Sequence, residues 1–464
     1  MKSNHLIYLL FISVVSAMGG LLFGYDWVVI GGAKPFYEPF FGITGSPSMQ
    51  GWAMSSALIG CLIGAFSTGY LSDRLGRKRM LLVAAALFII SAFGTGAANN
   101  FVWFILWRIM GGVAIGVASN LSPIYIAEIS PAKMRGRLVS LNQLTIVLGI
   151  LLAQIVNWQL SEPVAVGSTV EDIRQSWNGQ MGWRWMFWSC CIPASLFFIF
   201  SFFIPESPRW LAVNGYRQKA IDVMSRIVGV DEAGRQVAEL TDSDGNGTQK
   251  SANSGLKRIL HPSMRRVLII GIVLAVFQQW CGINVIFNYA QEIFSAAGYG
   301  VSDILMNIVV TGITNVVFTI VAMLLVDRLG RRPLLLIGAG GLTMIYALMG
   351  GAYYFGLTGA ALLVIVVAAI ACYAMTLAPI MWVVISEIFP NAVRGVAMSI
   401  ATVALWSASF VLTYTFPLLN NAMGAAGTFW IYGLICLCGF IFVYRMIPET
   451  KNKSLEEIEK ELIR

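Results

Sequence analysis

Charged side chains and histidines are scarce in this sequence. Asp, Glu, Lys and Arg make up 12% of its 464 residues, whereas soluble globular proteins carry about 25%. The only histidines are His5 and His261. A phosphate-binding Gly-x4-Gly-Lys-Ser/Thr loop, a Ser-His-Asp set and a metal-ligand spacing are all missing. These absences argue against an enzyme and a metalloprotein, so we expect no enzymatic activity, no cofactor and no metal.

Cysteine is present without a recognisable pattern. All seven cysteines fall inside apolar runs and their number is odd, so we interpret them as buried thiols. The net charge of +8 could indicate nucleic acid binding, but the Lys and Arg residues sit in short loops rather than on one soluble face. We therefore expect the chain to be surrounded by a lipid bilayer and to bind no nucleic acid.

Long apolar runs dominate the chain. Hydrophobic residues make up 57% of it, and twelve runs reach the roughly 20 residues that cross a bilayer. Helix is the expected conformation, because open strands cannot cross lipid with unpaired backbone groups. The first run is too long for a signal peptide, so we interpret it as a retained helix. The predicted spans are 6–32, 51–72, 80–98, 101–127, 139–160, 183–204, 265–294, 303–326, 334–354, 360–386, 396–417 and 424–446.

The positions of the cations predict the orientation. With the N-terminus in the cytoplasm, 27 of the 31 Lys and Arg residues fall in inner loops and tails. The other four are Lys34, Arg174 and Arg184, at or beyond the outer edge, and Arg108, inside a span. By the positive-inside rule, both termini are cytoplasmic. We expect a multi-pass protein of the plasma (inner) membrane.

The sequence repeats internally. Residues 73–77 (DRLGR) recur 254 residues later, and the pattern Glu128…Arg135-Gly136 recurs 259 residues later. Two parallel six-helix halves follow from repeats in the same order, as in some transporter families. We predict an all-α membrane protein with a six-helix bundle in 1–204, a cytoplasmic helical linker in 205–264, a second bundle in 265–446 and a cytoplasmic tail in 447–464.

Two ionisable residues lie well inside the predicted spans. Asp26 is in the first helix and Arg108 in the fourth. Charges at membrane depth are costly and rare, so each is a functional hypothesis. A carboxylate is the simplest carrier of a proton, and neither histidine lies in a span. The alternative is a structural ion pair that only holds two helices together.

Charged residues of both signs surround the repeated motifs on the predicted inner side. An ion-pair network that exists in one conformation can bias a two-state equilibrium, so we interpret these residues as a cytoplasmic gate. The alternative is that they determine topology and solubility. The predicted gate residues are Asp73, Arg74, Arg77, Glu128, Arg135, Glu206, Asp327, Arg328, Arg331, Glu387, Arg394 and Glu449.

Amides and tryptophans cluster within the spans. An amide both donates and accepts hydrogen bonds, which suits a ligand covered in hydroxyls, and a tryptophan offers an apolar face and an N–H donor. A single amide more often joins two helices, but a cluster is more specific. The residues in question are Gln143, Gln278, Gln279, Asn284, Asn288, Asn315, Trp382 and Trp406.

Taken together, these motifs resemble the sugar porter family of the major facilitator superfamily over nearly the whole chain. The bacterial proton-coupled xylose symporters and the animal facilitative glucose transporters are the members that it resembles most. The resemblance is carried by residues 73–78 (DRLGRK), 205–209 (PESPR), 278–284 (QQWCGIN), 387–390 (EIFP), 394–395 (RG) and 448–451 (PETK).

The resemblance implies a monosaccharide substrate and an alternating-access carrier made of one chain. It implies that Phe23 and Trp406 lie at the cavity wall and that the sugar is contacted by Gln143, Gln278, Gln279, Asn284, Asn315 and Trp382. Symporters of the family carry an Asp at the position of Asp26, paired with an Arg matching Arg108, whereas facilitative relatives typically lack it. This Asp favours proton-coupled import of xylose or a glucose-like sugar.

Three departures from the xylose symporters leave the sugar's identity open. Ile150 stands where they have a Gln, Asn288 replaces a Tyr, and Leu405 replaces a polar residue beside the cavity tryptophan. Two other functions also remain open. A facilitative uniporter would share every sugar contact, and a sugar sensor would bind without transport.

Overall fold

The computed structural model describes residues 3–131, 134–165, 167–245, 262–389 and 394–451. Within these ranges all regular structure is helical and there is no strand. The all-α prediction is therefore confirmed for the described residues.

Five long helices open the chain, followed by shorter ones. The long helices are α1 (Ser3–Phe41), α2 (Pro47–Leu75), α3 (Arg77–Ala97), α4 (Phe101–Ile129) and α5 (Arg135–Leu160). After α6 (Val170–Gln175), a π-helical turn (Asn178–Gly182) leads into α7 (Trp183–Trp188) and α8 (Cys191–Ser201). The predicted linker forms α9 (Pro208–Val213), α10 (Arg217–Val228) and α11 (Val230–Gly245).

The remainder of the chain contains several broken helices. They are α12 (Pro262–Trp280), α13 (Ile283–Asn288), α14 (Ala290–Ala296), α15 (Val301–Leu329), α16 (Arg331–Tyr354), α17 (Ala360–Met375), α18 (Leu377–Ile388) and α19 (Arg394–Met446). Residues 246–261 of the predicted linker and residues 452–464 of the predicted tail lie outside the described residues.

Among the described residues, eleven helical segments are long and apolar enough to cross a membrane. The last of them, Val396–Met446, has 51 residues and would be roughly 77 Å long as one helix, more than twice the ~30 Å hydrocarbon core. It turns at Gly424, where φ is 67°, a conformation that favours glycine. The break makes two spans of it, which accounts for the predicted twelve.

Small residues let α2 and α4 pack closely. A Cβ at Gly60 would collide with the backbone of Ile109, and a Cβ at Gly64 with the backbone of Val113. Small residues at i and i+4 serve this purpose in membrane helices, where packing takes the place of hydrophobic burial. The paired glycines that the sequence shows in this region are therefore a helix–helix contact.

The chain divides into two compact units, each described here by itself. The first unit comprises Met1–Asp26, Gly60–Gly149 and Phe187–Ser254. The second comprises Trp27–Ile59, Ile150–Met186 and Gly255–Arg464. The predicted division into two six-helix halves joined by 205–264 rests on the sequence repeat and stays a prediction.

The linker helices form a small core of their own inside the first unit. Apolar side chains of α9, α10 and α11 pack together there, and small alanine side chains are among them. The buried members are Leu211, Ala212, Ala220, Met224, Ala233 and Val237. This packing explains why a polar stretch keeps its helical structure.

Candidate functional site

A buried ion pair joins α1 to α4 in the first unit. Nη1 of Arg108 lies 2.9 Å from each carboxylate oxygen of Asp26, and its Nη2 donates to the Asp26 backbone carbonyl at 3.4 Å. Asp26 is 3% exposed and Arg108 is 2% exposed. The guanidinium also lies 5.7 Å from the ring centroid of Phe187. The structure thus brings together the two predicted coupling residues.

Burial makes this pair sensitive to the charge of each partner. Two opposite charges in a low-dielectric site compensate each other, but removal of one leaves the other uncompensated and costly. A proton on Asp26 would have the same effect, because a neutral carboxyl group attracts Arg108 far less than a carboxylate does. The geometry can therefore convert one proton into a change in the attraction between α1 and α4.

Around the first DRLGR motif, four charged residues of the first unit form what we term the first motif cluster: Asp73, Arg77, Glu128 and Glu206. Arg77 pairs with Asp73 at 2.9 Å and with Glu128 at 3.2 Å. Glu206 accepts the backbone N–H groups of Arg77, at 2.8 Å, and of Lys78, at 3.1 Å. These N–H groups belong to the first residues of α3. A carboxylate at a helix N-terminus also interacts favourably with the helix dipole.

The second unit repeats this arrangement around the second motif. In the second motif cluster, consisting of Arg331, Glu387 and Glu449, the Arg331 guanidinium lies 3.6 Å from Glu387. Glu449 accepts the backbone N–H groups of Arg331, at 3.0 Å, and of Arg332, at 3.2 Å. Burial raises the pKa of Glu449, whereas the backbone hydrogen bonds from Lys451, Arg331 and Arg332 lower it. The hydrogen bonds together outweigh burial, so the pKa of Glu449 lies below its usual value.

The other predicted gate residues are more dispersed. Arg74 contacts Tyr70, donating to its hydroxyl at 2.9 Å, and Arg135 is exposed at the start of α5. The side chains of Asp327, Arg328 and Arg394 lie outside what the structure describes. Gating by any of these residues stays a prediction.

We expect Glu449→Gln to lower the free energy of unfolding by about 1 kcal/mol at neutral pH, because an amide is a weaker acceptor for backbone N–H groups than a carboxylate. The lowered pKa sets the pH dependence: the contribution is complete above the unfolded-state pKa and is lost as pH falls through the folded-state pKa. Melting temperatures of wild type and Glu449→Gln in detergent should therefore converge in acid. Glu171→Gln, at an exposed position, is the control, and an equal loss in that variant would contradict this account.

A break in the seventh predicted span presents four of the predicted sugar-binding amides. Helix α12 ends at Trp280 and α13 begins at Ile283, with Gly282 between them at a φ of 84°. A Cβ on Gly282 would lie 2.8 Å from the Tyr432 ring, so both conformation and space require glycine there. Non-helical backbone at membrane depth is tolerated where it is buried in protein or lines a cavity.

The amides beside this break are buried and only partly hydrogen-bonded. Gln278 is 5% exposed and hydrogen-bonds with Tyr373, while its Oε1 has no partner among the described residues. Nδ2 of Asn284 donates to Oε1 of Gln279. Asn288 is buried with its Oδ1 unpartnered within the same described ranges. Oε1 of Gln278 and Oδ1 of Asn288 can therefore accept hydrogen bonds from the hydroxyl groups of a ligand.

The remaining predicted sugar residues fall on three further helices of the second unit. Asn315 is buried on α15, and Trp382 is half-buried on α18, just after the break between α17 and α18 at Thr376. Trp406 is buried on α19, with its ring centroid 6.0 Å from that of Trp27. Trp27 was not identified from the sequence, which offers no signal beyond its place next to Asp26.

Phe23 and Gln143 belong to the first unit. Both are half-buried, on α1 and α5 respectively. Sugar contact by these two residues, as by the seven in the second unit, stays a prediction.

A buried lysine and two carboxylates form a cluster that the sequence did not indicate. Nζ of Lys34 lies 3.1 Å from Oε1 of Glu38 and also pairs with Glu292. Gln50 donates to Glu38 at 2.9 Å, and the Tyr289 ring centroid lies 5.2 Å from the ammonium. Lys34, which the sequence places at or beyond the outer edge, is 1% exposed and lies on the part of α1 that extends past the predicted end of the first span at residue 32. The i, i+4 spacing of Lys34 and Glu38 is the signal that could have revealed the pair.

We expect Lys34→Met to destabilise the protein by about 3–5 kcal/mol, since it leaves the buried Glu38 and the partly buried Glu292 without their cation. Thermal unfolding in detergent measures the effect. Lys219→Met is the matched control, because Lys219 is exposed and its ammonium lies 5.2 Å from the Tyr216 ring centroid. Equal melting temperatures for the two variants would show that the cluster carries no such energy.

Comparison with known families places the whole chain in one of them. The family described as "Sugar (and other) transporter" matches residues 12–462. The arabinose-proton symporter of Bacillus subtilis (strain 168) is 38% identical over 460 residues, which cover 99% of this chain and 96% of that protein. The D-xylose-proton symporter of Escherichia coli (strain K12) is 37% identical over 482 residues, covering 97% and 95%.

Solved structures agree with these sequence relatives. The inward open conformation of the xylose transporter XylE from E. coli matches with a TM-score of 0.85 and 36% identity, covering 98% of this chain and 99% of that one. XylE bound to 6-bromo-6-deoxy-D-glucose, described as a proton:xylose symporter of the major facilitator superfamily, matches with a TM-score of 0.77 and 35% identity.

Proposed function

We propose that this chain, which belongs to the sugar transporter family of the major facilitator superfamily, imports a monosaccharide together with a proton by alternating access. The observation that carries the proposal is the buried pair of Asp26 and Arg108. A transporter that only equilibrated its sugar would have no need of a titratable group at this depth, where charge is costly.

The proton acts in this proposal by weakening the pair. While Asp26 is ionised, it holds Arg108 through the hydrogen bonds described above. A proton entering from the more acidic side neutralises the carboxylate, which frees α1 and α4 to rearrange. Release of the proton on the opposite side restores the pair, so one proton accompanies each cycle.

The sugar binds, in this proposal, at the broken helix α12–α13. Supporting this are the unpartnered Oε1 of Gln278 and Oδ1 of Asn288, which can accept from hydroxyls, and Trp382, whose ring can face the C–H side of a sugar. The relatives named above carry arabinose or xylose, so a pentose is the first substrate to test. Ile150 and Asn288 differ from the Gln and Tyr that the xylose symporters have at these positions. A glucose-like hexose is therefore the second substrate to test.

The two motif clusters supply the gate. Each contains an arginine that bridges to a glutamate of another helix, Arg77 to Glu128 and Arg331 to Glu387. Ion pairs of this kind can favour one conformation if they form only there. We assign both clusters and both termini to the cytoplasmic side of the inner membrane, and we assign transport to a single chain.

Facilitative transport is our second proposal, and one residue, Ile150, favours it. Ile150, which is buried on α5, matches the residue that glucose facilitators have where the xylose symporters carry a Gln. A uniporter would use the same amides and would leave Asp26 and Arg108 as a structural pair.

The deciding experiment is uptake of labelled D-xylose and D-glucose into proteoliposomes with and without an inward proton gradient. Symport predicts accumulation above equilibrium that collapses when the gradient is dissipated. Equilibration that is indifferent to the gradient would indicate the uniporter. Binding of either sugar without flux would indicate a sensor and refute transport.

A further inference from the structure

One buried amide outside the predicted sugar site has no hydrogen-bond partner in the part of the chain that the structure describes. Gln154, on the part of α5 that belongs to the second unit, is 1% exposed. Neither its Oε1 nor its Nε2 has a partner among the described residues. Burying an amide without hydrogen bonds is unfavourable, so a native protein that keeps one in this state calls for an explanation.

Helix α15 provides the space that this side chain occupies. A Cβ on Gly312 would collide with Oε1 of Gln154 and would lie 3.1 Å from Cδ1 of Leu151. Only glycine at this position lets the carboxamide lie directly against the helix backbone. The site of the amide is therefore built by two helices.

The same face of α15 carries a predicted sugar-binding residue. Gly312 and Asn315 are three residues apart and share a face of the helix, and Thr319 follows one turn later. Asn315 and Thr319 are both buried, and Oγ1 of Thr319 has no partner within the described ranges. The carboxamide of Gln154 thus lies about one helical turn from the amide of Asn315.

A second amide on α5 does make a bond between helices. Asn157, three residues after Gln154, is also buried; its Nδ2 donates to the backbone carbonyl of Val29 at 3.0 Å, while its Oδ1 has no partner among the described residues. It joins α5 to α1, as amides commonly do between membrane helices. Gln154 makes no such bond, so the same role does not account for it.

We propose that Gln154 is a further sugar-binding residue of this transporter, one that binds two adjacent hydroxyl groups of the substrate. The inference rests on the proposed function. A carboxamide presents an acceptor and donors side by side. One hydroxyl of a vicinal pair donates to Oε1, and the oxygen of its neighbour accepts from Nε2. Both amide atoms then acquire hydrogen-bond partners, which the described protein groups do not supply.

The test compares Gln154→Leu with wild type in proteoliposomes, using whichever of D-xylose and D-glucose the wild type transports and the monodeoxy analogues of that sugar. Wild type should disfavour two analogues, each lacking one of two adjacent hydroxyls. Gln154→Leu should raise KM for the parent sugar about tenfold. It should also lose most of the discrimination against those two analogues, while retaining discrimination at the other positions.

Gly312→Ala gives a second, independent measurement. It keeps the glutamine but adds a carbon where Oε1 lies, so it should displace the carboxamide and impair the same selectivity. Because both changes act on one contact, the double variant should be no worse than Gln154→Leu alone. Gly312→Ala also decides the question if Gln154→Leu does not fold.

Asn157→Leu is the matched control for an amide that joins two helices. It should lower the melting temperature without altering the selectivity among deoxy sugars. If Gln154→Leu behaves in the same way, with unchanged KM and unchanged selectivity, the proposal is overturned while the proposed function stands. A wild type that carries neither sugar would instead refute the proposed function, and this inference with it.

Discussion

Asp26→Asn is expected to abolish accumulation of sugar against its gradient, while sugar binding and sugar exchange across the membrane persist. Asparagine keeps the shape of the side chain but cannot release or take up a proton in the relevant range, so the pair with Arg108 no longer responds to pH. Transport by this variant should equilibrate the sugar and stop. The measurement is uptake of labelled sugar into proteoliposomes with an imposed proton gradient, alongside counterflow without one.

The control must separate loss of coupling from loss of folding. Asp26→Asn leaves the buried Arg108 without a full countercharge, so its melting temperature and its sugar affinity have to be measured in the same preparation. Asp303→Asn removes one carboxylate at an exposed position on α15 and should leave accumulation unchanged. Full gradient-driven uptake by Asp26→Asn would refute the assignment of Asp26 as the proton carrier.

Most of the fold could be predicted from hydropathy alone. A membrane span needs a long apolar run, and in a single segment only a helix pairs all the backbone groups inside lipid. The ends of the helices could not. The first span was predicted to stop at residue 32, since Lys34, Pro35 and Glu38 lower the hydropathy beyond it. In the structure α1 continues to Phe41, because Lys34 and Glu38 neutralise each other inside the protein. Such pairing depends on neighbours that a sequence window does not contain.

The candidate site could be predicted only as far as polar residues stand out in apolar runs. Asp26, Arg108 and the pair Gln278-Gln279 are conspicuous for that reason. Gln154 is equally polar, but its lack of a hydrogen-bond partner among the described residues and its packing against Gly312 of another helix are visible only in the structure. The break at Gly282 was also missed, because glycine is common in membrane helices, and its positive φ and the crowding by Tyr432 are visible only in the structure.

Gln278→Ala is expected to weaken sugar binding by about 1–3 kcal/mol, which corresponds to roughly 5- to 150-fold in the dissociation constant. The glutamine is almost fully buried, and its Oε1 is free for a hydroxyl. Alanine leaves that hydroxyl and the Tyr373 hydroxyl without their partner. Equilibrium binding of labelled sugar to the purified protein measures the loss, with Gln218→Ala at an exposed linker position as the control.

The Gln278 and Asp26 variants should fail in opposite ways, and that contrast is more decisive than either loss alone. Gln278→Ala should bind weakly yet still accumulate sugar when the external concentration is raised enough to fill the site, because the proton step is intact. Asp26→Asn should bind normally and never accumulate. If Gln278→Ala also lost its response to the proton gradient at saturating sugar, binding and coupling would have to share this residue, and the assignment of separate roles to α1–α4 and to the broken helix α12–α13 would be wrong.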